Sequence, residues 1–223
     1  MNLYKLWVVN TLLELIFMEK INLINNNFNQ LKLGQTLSFD QFYALTELCV
    51  STGTTTGKQP TTSRIDATKL NLQRMNRLIK TTQLLPIWDD LDPASTEKLR
   101  WIILSEAWCG DAAQIVPVLH KIADKLHIRL DLILRDEHPD IAEKYLFNGT
   151  NSIPRLICFD IETGDELGVW GPRPREAQEI VENAKLKGIP HDEWVIYVQN
   201  WYNQNKTVSL QNELFSFVND CLS

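Results

Sequence analysis

Of the four cysteines in the sequence, Cys109 has the neighbours that could make a thiol reactive; it stands in Glu106-Ala107-Trp108-Cys109-Gly110-Asp111-Ala112. The thiolate is the nucleophile, and a cysteine in the first turn of a helix meets unpaired N–H groups and the positive end of the helix dipole. Such a setting can lower a thiol pKa from about 8.5 to roughly 3.5–7.5. Asp111 acts in the other direction. At roughly 6 Å its repulsion is worth about 0.7 kcal/mol in water and about 3 kcal/mol at an effective dielectric of 20. The chemistry within reach is attack of the sulfur on a disulfide. Trp108 would shield one side of that sulfur, Gly110 would let a partner backbone approach, and Glu106 is a candidate proton acceptor.

The surrounding pattern supplies the elements that would hold this thiol. Ahead of it, Trp101-Ile102-Ile103-Leu104 is a short apolar run suited to a buried strand. Behind it, Ile115, Val118, Leu119, Ile122 and Leu126 recur like one face of a helix. Cys109 therefore falls where a strand turns into a helix. Ile128-Arg129-Leu130-Asp131-Leu132-Ile133-Leu134 alternates as a second strand, returning parallel to the first through a right-handed crossover. A helix is predicted over about 136–147, with Pro139 in its first turn. Leu156-Ile157-Cys158-Phe159 and residues 166–170 then read as strands joined by a turn at Thr163-Gly164-Asp165. A helix over about 176–186 turns Ile180 and Val181 inward, and Gly188 and Pro190 end it.

Residues Trp108-Cys109-Gly110-Asp111-Ala112 resemble the Trp-Cys-Gly-Pro-Cys active site of the thioredoxin superfamily. Pro117 falls at the place of that family's helix-kinking proline. Ser152-Ile153-Pro154-Arg155 is similar to its cis-proline loop, and Val169-Trp170-Gly171 to its third active-site segment. The resemblance covers roughly residues 100–187. It implies an α/β thioredoxin-like fold, a mixed sheet with flanking helices. The core over 100–187 would carry a helical extension over 1–99 and a second one, packed on the core, over 188–223. It also implies that Pro154 sits opposite Cys109 and blocks metal capture. Its neighbours Ile153 and Arg155 would bind a substrate backbone, with Trp108, Gly110, Asp111 and Gly171 completing the surface.

The sequence departs from the family pattern at three places. The second cysteine is Ala112, the proline is Asp111, and the buried acid aligns with Ile103. A dithiol reductase needs the second thiol to release its product, so two readings stand open. One is monothiol thiol–disulfide exchange through Cys109, resolved by an external thiol. The other is a non-catalytic binding or adaptor module that keeps the cis-proline groove. A peroxidase is disfavoured, since no Pro-x-x-x-Thr-x-x-Cys stretch is present. The expected partner is a protein or a low-molecular-weight thiol or disulfide; Arg155 and Arg173 would suit a small anionic thiol.

Composition narrows the classes. The chain has 223 residues, 44% hydrophobic and 22% charged, enough for a sizeable core. A net charge of −6 with no lysine- or arginine-rich tract argues against a nucleic-acid partner. Cys49, Cys109, Cys158 and Cys221 are too scattered for a disulfide framework, and no pair has zinc-ligand spacing. His120, His127, His138 and His191 lie apart, so no metal and no other cofactor is expected. The apolar run over 6–17 is too short for a bilayer, which takes about 20 residues. Glu14 interrupts it and no cleavage site follows. It reads as an amphipathic terminal helix or as an extension ahead of a start at Met18, and the expected location is cytoplasmic, with no membrane.

The flanking regions read as helical. Ser38 and Gln41 form a capping box, followed by Phe42, Leu45, Leu48 and Cys49 at core spacing. Residues 51–63 are a Thr/Gly-rich loop without phosphate-loop order. Asp66 is expected to cap the next helix, with Leu70, Met75, Leu78 and Ile79 along it and Arg74, Arg77 and Lys80 on a solvated face. One short helix between 84 and 98 is interrupted by Pro86 and Pro93. After 190, two helices carry Trp194, Tyr197, Val198 and Trp201, then Leu210, Leu214, Phe217 and Val218, all read as packing residues. Cys158 is assigned to core packing, and Cys221 to no role.

Overall fold

The computed structural model describes residues 36–223; the run over 6–17 and the start at Met18 lie outside the described residues. Four strands form one mixed sheet in the order β2-β1-β3-β4. They are β1 (Leu99–Ser105), β2 (Arg129–Leu134), β3 (Arg155–Asp160) and β4 (Glu166–Trp170). Strand β1 runs parallel to β2 and antiparallel to β3, which pairs antiparallel with β4. All seven residues of β1 are buried, so this central strand is covered on both faces. The crossover from β1 to β2 is the helix Gly110–Lys125, whose apolar stripe (Ile115, Val118, Leu119, Ile122) is wholly buried. This is the α/β arrangement of a mixed sheet with flanking helices.

In chain order the helices are α1 (Phe39–Thr52), α2 (Thr62–Thr81), α3 (Pro93–Thr96), α4 (Gly110–Lys125), α5 (Pro139–Lys144), α6 (Arg175–Leu186), α7 (His191–Asn205) and α8 (Val208–Leu222). Helix α1 opens with the expected capping box: Gln41 N–H donates to Ser38 Oγ, and Ser38 N–H donates to Gln41 Oε1. Just before it, Leu37 exchanges two backbone hydrogen bonds with Leu132 of β2. Helix α2 packs on α4, and α8 packs against β4. Leu210, Leu214 and Val218 of α8 join the main core.

Several expected details are corrected. Leu48 is 58% exposed; Thr46 takes the inward position, because its hydroxyl donates to Phe42 O and is satisfied without water. Leu70 is exposed as well. Asp66 does not cap α2. The hydroxyl of Thr61, five residues earlier, accepts from Arg64 N–H and starts the helix there. Pro86 and Pro93 each open a separate short helix, since a proline lacks only an N–H that the first turn leaves unpaired. The helix predicted over 136–147 shrinks to a 3-10 turn, Arg135–Glu137, and α5. A reverse turn replaces its end, with Phe147 and Thr150 exchanging backbone bonds around Asn148 and Gly149, both at positive φ. Ile180 is only half-buried, and α6 instead turns Ala177, Val181 and Ala184 inward. Cys221, assigned no role, is buried and belongs to the main core together with Cys158.

Candidate functional site

The end of β1 and the start of α4 bring Cys109 to the N-cap position, where its sulfur accepts a hydrogen bond from Ala112 N–H at 3.4 Å. Strand β3 brings in the opposite wall. The Ile153–Pro154 peptide is cis, and the Cys109 thiol donates to the carbonyl of Ile153 at 3.2 Å. That bond requires the proton to stay on sulfur. Gly171 backs this loop at φ +103°, and a Cβ there would lie 2.5 Å from the Pro154 carbonyl oxygen.

Electrostatics at this sulfur oppose ionisation. Cys109 is 6% exposed, and its pKa is pushed up from 9.0 to about 12, first by burial and then by Asp111. The helix-start N–H groups and Arg173 pull it down but lose. The lowered pKa that a helix-start position suggests is therefore reversed, because the dipole acts on a charge that has been stripped of water. Asp111 is itself fully engaged: Oδ2 pairs with Arg173 Nη2 at 2.7 Å, and Oδ1 accepts from the Tyr202 hydroxyl at 3.0 Å. Burial works against the Arg173 charge, and Asp111 outweighs it, raising the arginine pKa.

Glu106 does not face the thiol. It is fully buried, taking the Thr56 hydroxyl on one oxygen and Asp136 N–H (2.8 Å) on the other. Thr56 in turn accepts from Ala107 N–H at 2.9 Å. Burial pushes the Glu106 carboxyl up despite these bonds. Its geometry ties the Thr/Gly loop to the strand end, and offers no proton relay to Cys109.

Cys109 lies in the wall of a cavity of about 700 Å³. Among the expected site residues, Trp108, Cys109, Gly110, Asp111 and Ile153 line it, whereas Pro154, Arg155 and Gly171 stand behind the wall. Arg155 is buried, donates to the Gly171 carbonyl and packs on Phe147, so it puts no charge into the cavity. Arg173 does line it. The remaining walls come from α2 and α7. From α2, Arg74 reaches over Gly110, where a Cβ would be 3.4 Å from its Nη1, so the helix face read as solvated carries a cavity residue. Arg64 and Arg135 stack on Trp108 at 4.3 and 4.8 Å. From α7, Trp194, Val198 and Tyr202 face in, one residue per helical turn. The aromatic stripe of α7, read as packing, is thus partly a cavity wall; the spacing 194, 198, 202 carried that signal. Gln114 of α4 donates to Gln199 (3.1 Å) and holds α7 over the site.

Among the described residues no group of three or more His, Cys, Asp or Glu side chains could hold a metal ion, and no helix is long and apolar enough to cross a membrane. A family model described as thioredoxin matches residues 57–185, more than half of the chain, so that α2 falls inside the match. Among solved structures, the chain is similar to an HIV epitope-scaffold at 17% identity, over 73% of this chain and 95% of that one, with a TM-score of 0.40. It is also similar to a protein of unknown function from Pseudomonas aeruginosa at 15% identity, over 83% and 95%, with a TM-score of 0.38.

Proposed function

The chain belongs to the thioredoxin family, and from that premise we propose that it is a non-redox binding module, using the cavity beside the Ile153–Pro154 loop for recognition. The observation that carries this reading is the state of Cys109. Its proton is held by the Ile153 carbonyl, its pKa is about 12, and Ala112 stands where a resolving thiol would be. At pH 7 a thiol of that pKa is ionised to only about one part in 10⁵, which removes the nucleophile that exchange needs. Asp111, with both oxygens bound, acts as a brace between α4, α7 and the segment after β4.

A second reading, monothiol exchange, is favoured by one feature: the sulfur still accepts Ala112 N–H and lies near the Arg173 guanidinium. In that reading a Cys109 thiolate attacks a disulfide, forms a Cys109 mixed disulfide and expels one thiolate. An external thiol then attacks the mixed disulfide and frees Cys109. Incubation of the full chain with bis(2-hydroxyethyl) disulfide and an external thiol at neutral pH separates the two. The binding module gives no Cys109 adduct and no turnover above the uncatalysed exchange. A mixed disulfide on Cys109 that the thiol releases with turnover overturns it.

A further inference from the structure

The cavity's polar groups are unevenly spent, and the surplus describes a ligand. Asp111 is the one carboxylate among the described lining residues, and both its oxygens are taken. Of the four lining arginines, Arg173 pairs with Asp111, while Arg64 and Arg135 share Asp136 at 3.8 and 2.7 Å. Arg74 makes no ion pair among the described residues, although the Asp111 carboxylate lies near enough to favour its charge; its Nη1 donates to the amide oxygen of Asn71 at 2.9 Å, which leaves the rest of its guanidinium fork open. It reaches over Gly110, at the N-terminal end of the 16-residue helix α4, where the helix dipole also favours an anion, although the Ala112 N–H of that turn is taken by Cys109 Sγ. Two further buried donors on lining residues lack a partner, Trp108 Nε1 and Arg173 Nε. Within this lining, Arg74 is the arginine with no carboxylate at ion-pair distance among the described residues. Around it stand Leu70, Trp194, Val195 and Val198.

Resting on the binding-module reading, we infer that this cavity takes a small organic monocarboxylate, its carboxylate on Arg74 above Gly110 and its apolar body against Leu70, Trp194 and Val198. The volume, about 700 Å³, falls within the roughly 300–1,000 Å³ typical of small-molecule sites. The open side of the Arg74 guanidinium is a planar fork that suits a carboxylate held through two parallel bonds. Among the described residues Arg64 and Arg135 have only Asp136 between them, so phenyl phosphate, a dianion, is the contrast that tests whether a second negative charge is accommodated.

Calorimetric titration of the full chain with 4-phenylbutyrate and octanoate, and with 4-phenylbutyramide and phenyl phosphate as contrasts, tests this. Both carboxylates should bind at least about tenfold more tightly than the amide, because the amide cannot use the cation. Arg74→Gln should remove that preference while leaving the thermal midpoint of the unliganded chain in place. Leu70→Glu, at the exposed rim, should weaken the carboxylates more than the amide, which loses the apolar contact but meets no charge repulsion. Equal binding of acid and amide, an unchanged affinity in Arg74→Gln, tighter binding of phenyl phosphate, or no binding of either carboxylate would each overturn the assignment. The two claims fail separately. A Cys109 that turns over disulfides sinks the binding-module reading even if carboxylates bind, and an inert Cys109 with an empty cavity sinks this inference alone.

Discussion

Replacing Asp111 with asparagine should make Cys109 more reactive. The Cys109 thiol sits at about 12 instead of 9.0, with burial the first cause and Asp111 the second. Asparagine keeps the shape and removes the charge, and it also releases Arg173 from its ion pair beside the sulfur. At roughly 6 Å and an effective dielectric of 20, the lost repulsion is about 3 kcal/mol, or about two pKa units. The thiolate population at pH 8 would then rise by about 100-fold. A thiolate of lower pKa is less nucleophilic, with a Brønsted slope near 0.4–0.5, so the net gain in rate is about tenfold. The assay is iodoacetamide alkylation at pH 8, with Cys109 followed by peptide mass spectrometry. Tyr202→Phe is the control, because it removes the hydroxyl that binds Asp111 Oδ1 but keeps the charge. A rate in Asp111→Asn no higher than wild type would refute the electrostatic reasoning. Equal acceleration in Tyr202→Phe would show that access, not charge, limits the reaction.

Three further outcomes follow from the same geometry. Because the folded Cys109 pKa is raised, the unfolded chain releases this proton first as pH rises. Its contribution is intact below about pH 9 and is lost towards pH 12, on the order of 4 kcal/mol. Denaturant unfolding at intervals across that range should show a shallower alkaline loss in Cys109→Ala than in wild type. Gly171→Ala combines a φ of +103° with a Cβ 2.5 Å from the Pro154 carbonyl, so it should destabilise by about 1–3 kcal/mol or more in urea melts. Leu214→Ala, at a fully buried position of α8, should cost about 2–5 kcal/mol in the same melts. A loss below 1 kcal/mol there would mean that α8 is only loosely attached to the core.

The strand–Cys109–helix unit was legible because its apolar pattern is local: an unbroken apolar run for a strand buried on both faces, then Ile115, Val118, Leu119 and Ile122 at helical spacing. The Ser38–Gln41 box and the β3–β4 hairpin were legible because their signals are local. Cap choice at α2 was ambiguous, since Thr61, Thr62, Ser63 and Asp66 all offer side-chain oxygens and only the backbone path selects one. The ends of α5 were misjudged because Asn148 and Gly149 accept positive φ and reverse the chain early. What the cavity is made of depended on tertiary packing. Arg74 reads as solvated until α7 closes over α4, and Tyr202 reads as core until its hydroxyl meets Asp111. The sign of the Cys109 shift was hidden for the same reason. A helix terminus is visible in sequence, whereas the burial that outweighs it is made by segments far along the chain.

The most direct test is to titrate the thiol itself, using ¹³C NMR of the chain labelled at cysteine Cβ, with the Cys109 signal assigned by its loss in Cys109→Ser. A protonated, walled-in thiol leaves that signal unmoved from neutral pH to about pH 10, well above the ordinary thiol range of about 8.5. An inflection at or below about pH 8.5 would contradict it and return Cys109 to the role of nucleophile.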